Sequence, residues 1–300
     1  MKRIENLGNT CYLNSTLQIL FNYKIFNNII IASNNNIQDK LLSYEYYKLI
    51  SNNNNLINPE QIYNKILKLN NNLKKYYQED AEELLTYIIN RLYKELQNIV
   101  FSIKNTQKKK SIKQLFNYIF RIEIDSIIKC LECTKQSHNN EIMNILNLPI
   151  NNNTLNILLD DFFKNELLIN DNKYECNFCK KKVNAVKNLN INKLPYYLLL
   201  SLKRFNMYYK NNILINEKIL KKVNIPLILK HQKLNNITYT LKSIIIHIGN
   251  SKDNGHYINI SNKNNKWYLF NDSNEIIELN NEDLIKYINI GYIYLYEKNI

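Results

Sequence analysis

Few residues in this chain could do chemistry, and they are widely spaced. Five cysteines (Cys11, Cys130, Cys133, Cys176, Cys179) and four histidines (His138, His231, His247, His256) occur in 300 residues. Four of the cysteines form two pairs, "CLEC" and "CNFC". Each pair can turn two thiolates toward one metal. Together, Cys130, Cys133, Cys176 and Cys179 suggest a closed tetrahedral zinc site, structural because no position is left for a substrate. Two unrelated buried or redox dithiols are the alternative. The stretch between the pairs, 134–175, is longer than in a compact zinc ribbon, so it must hold structure of its own.

Cys11 is the cysteine left over. In "ENLGNTCYLNSTLQILFNY" (5–23) it stands three places after Gly8, one of only four glycines, and it opens an amphipathic run. It is either a nucleophile at a helix N-terminus or a small hydrophobe at the start of a core helix. A base and a group that orients the base decide between these. His138 and His231 sit in polar stretches and are expected to be exposed, whereas His247 within "SIIIHIG" is expected to be packed. His256 follows "GNSKDNG" and starts "HYINI", after a loop bracketed by Gly249 and Gly255. Glycines there allow turn dihedrals and close approach of a substrate backbone. Fifteen residues later "WYLFNDSN" places Asn271 and Asp272 at a strand end. Two adjacent strands joined by "SNKNNK" would set His256 beside Asn271. In that arrangement the cysteine attacks, the histidine moves the proton, and the amide oxygen holds the imidazole.

The elements that must position these groups follow from periodicity. Residues 12–100 read as mostly helical, with Leu13, Leu17, Leu20 and Phe21 at helical spacing. "IQDKLLSYEYYKLI" (37–50) and "NPEQIYNKILKLN" (58–70) share that period, the second with Asn58 as N-cap and Pro59 at the first helical position. "YQEDAEELLTYIINRLYKEL" (77–96) is the strongest helix, acidic at its start. After "NTQKKKS" (105–111) the pattern changes: 118–130 is strand-like, 155–168 reads as a helix, and "LPYYLLLSLKRF" holds a continuous apolar run suited to a buried strand. From 237 onward the chain reads as strands. A helical part, a zinc-bearing β insertion and a β-rich part therefore follow in order, an α+β arrangement.

Composition narrows the function class. An apolar fraction of 45% is that of a globular protein, and asparagine runs such as "SNNNNLIN" (51–58) read as surface loops. The formal net charge is +14, but the lysines are spread along the chain and the tight cluster is a single "KKK" at 108–110. Such a cluster reads as a solvated loop, so nucleic acid is not an expected partner. No apolar stretch has the length of a membrane span and no signal-peptide core opens the chain. A cytoplasmic or nuclear protein is expected.

Taken together, these motifs resemble the ubiquitin-specific proteases, papain-like cysteine peptidases with thumb, fingers and palm regions. "NLGNTCYLNSTLQIL" resembles the family's cysteine box, and "GHYINI" with "WYLFNDS" its histidine box. "YQEDAEELL" is similar to its Gln-x-Asp-Ala-x-Glu motif, "LPYYLLLSLKRF" to its palm strand, and the cysteine pairs to the zinc pair of its fingers. The resemblance runs from Asn6 to about Tyr296. It implies a single catalytic domain, thumb-like over about 1–105, fingers-like over about 112–192 and palm-like over about 193–300. It implies Cys11 as nucleophile, His256 as base, Asn271 as third member, Asp272 as an assisting neighbour and Asn6 as a stabiliser of the oxyanion. Asp80 and Glu83 would meet the basic tail of ubiquitin, with Gly255 and Tyr257 along its channel. Glu79 and Leu84 depart from the family's more usual residues at their positions, and the 249–255 loop is short. Ubiquitin and ubiquitin-conjugated proteins are the implied partners, structural Zn2+ the implied cofactor, and no organic cofactor is expected. Two competing readings are a catalytically weak ubiquitin-binding module that keeps the fold, and a zinc-ribbon nucleic-acid binder whose salt-sensitive binding would survive Cys11→Ala.

Overall fold

The computed structural model describes every residue except 34–36, 102–113, 211–212, 252–253 and 300. The "KKK" cluster at 108–110 lies outside the described residues.

The helical part contains α1 (Cys11–Leu20), α2 (Lys24–Ala32), α3 (Leu42–Ser51), α4 (Glu60–Leu69), α5 (Ala81–Phe101) and α6 (114–120), with β1 (Arg3–Ile4) paired in parallel to β2 (Leu56–Ile57). All ten residues of α1 are buried, so this helix is central. Leu13, Leu17 and Leu20 face the core as their spacing predicts. α5 starts later than its pattern suggests, because Asp80 accepts a hydrogen bond from Glu82 N at 2.7 Å and holds the entry turn. In α4 the helix begins at Glu60, one residue later than expected, although Asn58 Oδ1 still accepts from Glu60 N at 2.8 Å.

Two sheets follow. Strands β3 (Ile122–Cys130), β4 (Gln136–Met143), β6 (Glu166–Leu168) and β9 (Ala185–Lys193) form a four-stranded sheet in the order β4-β3-β9-β6. The ribbon β7 (Tyr174–Cys176) and β8 (Lys181–Val183) stands at the same end as the close of β3. The helix expected over 155–168 is shorter: α7 (Leu155–Phe162) stops, and β6 instead extends the sheet by pairing with β9. Similarly, the strand-like run from 118 begins as the end of α6, and β3 starts only at Ile122.

The larger sheet comprises β5 (Ile145–Pro149), β10 (Tyr197–Lys203), β13 (Ile228–Lys230), β14 (Thr238–Ile248), β15 (His256–Lys263), β16 (Lys266–Phe270), β17 (Ile277–Leu279) and β18 (Ile293–Lys298). Its order is β17-β16-β15-β14-β18-β10-β5, with β13 added on β14. It therefore takes β5 from inside the 112–192 stretch. The apolar run in β10 serves two cores at once. Tyr197 and Leu199 join the helical core on one face, while Leu198, Leu200 and Leu202 join a second core on the other. A sheet covered on both faces needs apolar residues at every position, which explains the lack of alternation. The ribbon β11 (Phe205–Lys210) with β12 (Ile213–Lys218) and helix α8 (Asn281–Ile288) complete the described elements. α1 packs against β15, and that contact brings the start of the helix to the start of the strand. No helix among the described residues is long and apolar enough to cross a membrane.

Candidate active site and metal centre

Cys11 is the first residue of α1 and is buried. The turn that delivers it needs left-handed backbone, supplied by Gly8 at φ 92° and Asn9 at φ 55°. Thr10 then closes the loop by accepting Leu7 N at 2.9 Å. The first N–H groups of a helix have no partner within it, so the entrance of α1 presents donors and the positive end of its dipole beside the thiol.

His256 opens β15, and the β15–β16 hairpin brings its imidazole to Asn271, just past β16, at 2.6 Å between Nε2 and Oδ1. The ring is held well above its ordinary value, at about 9, first by a hydrogen bond with the Cys11 side chain and then by the bond to Asn271, against the opposing effect of burial. Asp272 lies farther from the ring, with Oδ2 at 3.9 Å from Nε2. Its carboxylate is instead engaged twice by amides, taking Asn6 Nδ2 on Oδ2 and Asn14 Nδ2 on Oδ1, each at 2.7 Å. The backbone of Asp272 is left-handed at φ 51°, and its carbonyl accepts Ile4 N at 3.1 Å.

Asn6 is thereby fixed in one orientation. Its Oδ1 accepts Gly8 N at 3.0 Å, Thr10 N at 3.2 Å and Thr10 Oγ1 at 3.1 Å. One Nδ2 hydrogen goes to Asp272, and an amide has a second. Asn14 was not singled out in the sequence. The signal available was weak, a polar side chain three residues after Cys11 at the head of the polar run Asn14, Ser15, Thr16, and it is buried, donating also to Glu5 O at 3.1 Å.

The residues matched to the ubiquitin tail divide. Glu83 is exposed on the first turn of α5. Asp80 is only 5% exposed and accepts Tyr292 Oη at 2.9 and 3.0 Å, so it does not share Glu83's exposed face. Tyr257 is buried too, packed edge-on against His247, instead of lining an open surface. Gln78, in the same motif as Asp80, donates Nε2 to Gly255 O at 2.6 Å and ties the thumb-side loop to the histidine strand.

His247 is buried as expected, edge-on to Phe205 and Tyr257, and burial holds it down at about 4, so it is neutral near pH 7. His138 is exposed as expected but on a strand, β4, where Nδ1 meets Asp125 Oδ2 at 3.0 Å. His231 corrects the expectation of exposure: it is buried, and its Nδ1 accepts Lys233 N at 3.2 Å to cap a short 3-10 turn. Gly255 is also constrained from within the protein. A Cβ there would fall 2.2 Å from His247 Nε2 and 2.6 Å from Ile248 O, so the close approach that requires glycine is to the protein's own histidine. Gly255→Ala is expected to lower stability by about 1–3 kcal/mol, as overpacking of this kind does, and to displace His256 next to it. Thermal unfolding and turnover measured on the same sample check both effects.

At the other end of the molecule, Cys130, Cys133, Cys176 and Cys179 bring their four sulfurs within 4.8 Å of one another. Cys130 and Cys179 are 3.9 Å apart and Cys133 and Cys176 are 3.8 Å apart. A tetrahedron with metal–sulfur bonds of 2.3 Å has edges of about 3.8 Å, so the cluster is already the size of a tetrathiolate metal site. Four converging thiols can hold a metal ion here.

A thiol at a helix start and an imidazole on an adjoining strand, in a mixed helix-and-sheet fold, place the chain among the cysteine-type peptidases. Comparison with known proteins is more particular. The family model described as "Ubiquitin carboxyl-terminal hydrolase" matches residues 2–296, and the chain belongs to that family. Ubiquitin carboxyl-terminal hydrolase 4 of Arabidopsis thaliana is 27% identical over 98% of this chain and 92% of its own length. Ubiquitin carboxyl-terminal hydrolase 12 of Salmo salar is 28% identical over 92% of this chain and 80% of its own. Among solved structures, the SAGA DUB module of Ubp8, Sgf11, Sus1 and Sgf73 bound to monoubiquitin matches with a TM-score of 0.81 at 27% identity, over 100% of this chain and 69% of that one.

Proposed function

We propose that this protein is a deubiquitinating thiol hydrolase that cleaves the peptide or isopeptide bond after the C-terminal glycine of ubiquitin, with Cys11, His256 and Asn271 as its triad. The observation that carries this reading is the His256 ring, bonded to Asn271 at 2.6 Å and raised to about 9 by Cys11. An imidazolium beside a thiol at a helix N-terminus favours the thiolate. The thiolate adds to the glycine carbonyl, whose oxygen takes the negative charge. The second Nδ2 hydrogen of Asn6 and the Cys11 N–H are the donors for that oxygen. His256 gives its proton to the departing amine, leaving a thioester. The same ring then takes a proton from water, the hydroxide adds to the thioester carbon, and Cys11 leaves as thiolate. Exposed Glu83 faces the arginines of the incoming tail, and glycines at the end of that tail pass where side chains would not.

Cys130, Cys133, Cys176 and Cys179 are the ligands of a structural zinc ion in this reading, and its chemistry is to hold the tip of the four-stranded sheet. Ubiquitin and its conjugates are the partners.

A ubiquitin probe with a C-terminal electrophile tests the activity. One covalent adduct on Cys11 is expected, and none on Cys11→Ala. Wild-type protein that forms no adduct, or a Cys11→Ala variant that still forms one, would sink the hydrolase reading.

In this mechanism Asp272 serves chiefly to hold Asn6, and its charge, 3.9 Å from the imidazole, is the smallest of the contributions that raise His256. Alkylation of Cys11 by iodoacetamide builds no oxyanion, so the two roles separate experimentally. Asp272→Ala and Asn14→Ala are expected to lower kcat by roughly 10²–10³, the usual loss for one oxyanion donor, at nearly unchanged KM. Their alkylation rates should match wild type. Slowed alkylation would assign Asp272 to the histidine instead.

A further inference from the structure

Behind the catalytic elements lies a cavity of about 350 Å³ that the mechanism does not use. Its walls include Gln18 and Phe21 from the far end of α1 and its exit, Ile50 at the end of α3, Phe270 at the end of β16, and two lysines, Lys2 and Lys263. The volume lies within the range of small-molecule sites, and a mainly apolar lining with a few convergent polar groups is their usual make-up.

The two lysines are the unusual part. Lys2 Nζ donates to Leu49 O at 2.9 Å and Ile50 O at 2.7 Å, and Lys263 Nζ donates to Asn22 Oδ1 at 2.8 Å. All three acceptors are neutral. Burial lowers both ammonium groups from their ordinary value, Lys263 to about 8 with a further push from Lys24, and no carboxylate contributes to either. Each ammonium has three donors, so Lys2 keeps one and Lys263 keeps two. Both ammonium groups line one partly desolvated cavity with donors to spare, and no ion pair to either is seen among the described residues. Lys2 also lies over the Phe21 ring, 5.8 Å from its centroid, which keeps its charge at the apolar wall.

We propose that this cavity is a binding site for a small alkyl carboxylate. The carboxylate would lie between Lys2 and Lys263 and accept their spare hydrogens in charge-assisted bonds, while the alkyl chain covers Phe21, Ile50 and Phe270. An anion suits the two uncompensated ammonium groups, and an apolar body suits the remaining wall. A fully polar anion would leave that wall wet, and a neutral or cationic amphiphile would leave both ammonium groups without a counter-charge. The site stands apart from the proposed hydrolase chemistry, since neither lysine touches Cys11, His256 or Asn271.

Octanoate, 1-octanol and 1-octylamine, titrated into the full chain by isothermal calorimetry and nuclear magnetic resonance, form the test. Octanoate is expected to bind at one site, at least tenfold more tightly than 1-octanol, with 1-octylamine not binding. Lys263→Met, which keeps most of the side chain and removes the charge, should weaken octanoate by tenfold or more and leave probe capture at Cys11 intact. Equal affinity for octanoate and 1-octanol would overturn the proposal, as would undiminished octanoate binding in Lys263→Met. The ligand series needs no variant, so the proposal stays exposed even if a substitution unfolds the chain. Failure of probe capture with octanoate still bound would count against the hydrolase alone.

Discussion

His256→Ala is expected to lower kcat/KM on a ubiquitin substrate by about 10⁴-fold or more, the loss typical of a triad member that both activates the nucleophile and protonates the leaving group. The pH profile should change with it. In the wild-type chain the imidazolium survives to about pH 9, because the thiol and the Asn271 oxygen both favour its charged form. The thiolate–imidazolium pair is lost as pH rises through that value, so the alkaline limb of kcat/KM should fall near pH 9. Removing a favourable contact lowers the pKa, so Asn271→Ala should move the alkaline limb to lower pH, and Asp272→Ala, which removes the smaller charge–charge attraction, should move it the same way but less. A limb that stays near pH 9 in Asn271→Ala would show that this amide does not hold the ring.

The same shift bears on stability, with a definite sign. The folded-state value lies above the ordinary 6.5, so the contribution is present in full below about pH 6.5 and is lost as pH climbs through about 9. The histidine is more than a third exposed on its side chain, so solvent screening keeps that contribution small. Catalysis, and not folding, is where its titration should be visible.

Most of the site was legible in the sequence because it depends on spacing along continuous elements. Cys11 had to begin a helix for its apolar pattern to be satisfied. A short polar connection between the two strand patterns left little choice but to set His256 beside Asn271, and the turn itself proves to be only Asn264–Asn265. The two cysteine pairs carried their own geometry. What was not legible depends on where chain segments cross. Asn14 looks like any asparagine on a helix until Asp272 arrives from 258 residues away. Asp80 reads as one more acidic residue at a helix start, and only the packing of Tyr292 against it shows that it is buried. His231 sits among polar residues yet is covered by elements distant in sequence. Periodicity reports which face of an element is apolar; it does not report which polar residue another element will cover. Boundaries failed for a related reason, since β6 exists only because β9 has an edge to offer.

Loss of the metal should melt one end of the molecule and leave the rest folded. The two large cores each contain dozens of buried side chains shared between the helices and the eight-stranded sheet, and neither includes the tip of the four-stranded one. The tip has a cluster of its own in which only Cys130, Cys176 and Val183 are buried. Ordering a residue costs about 1–2 kcal/mol in backbone entropy, and three small side chains cannot offset that for the two tip segments, 130–135 and 174–183, whereas β5 and α7 between them are anchored in the second core. The β7–β8 ribbon has three residues per strand, and an isolated ribbon is marginal at best. A structural zinc site contributes roughly 10–16 kcal/mol to folding in small peptides, which is more than enough. Cys179→Ser is therefore expected to reduce bound zinc from one per chain to nearly none. It should open the tip segments, 130–135 and 174–183, to limited proteolysis while the main thermal transition moves little. With the tip melted, alkylation of Cys11 should stay at the wild-type rate, because Cys11 belongs to the helical core and not to the tip. A zinc-free chain whose tip resists protease would show that apolar and hydrogen-bonded contacts suffice there and that the four thiols have another role.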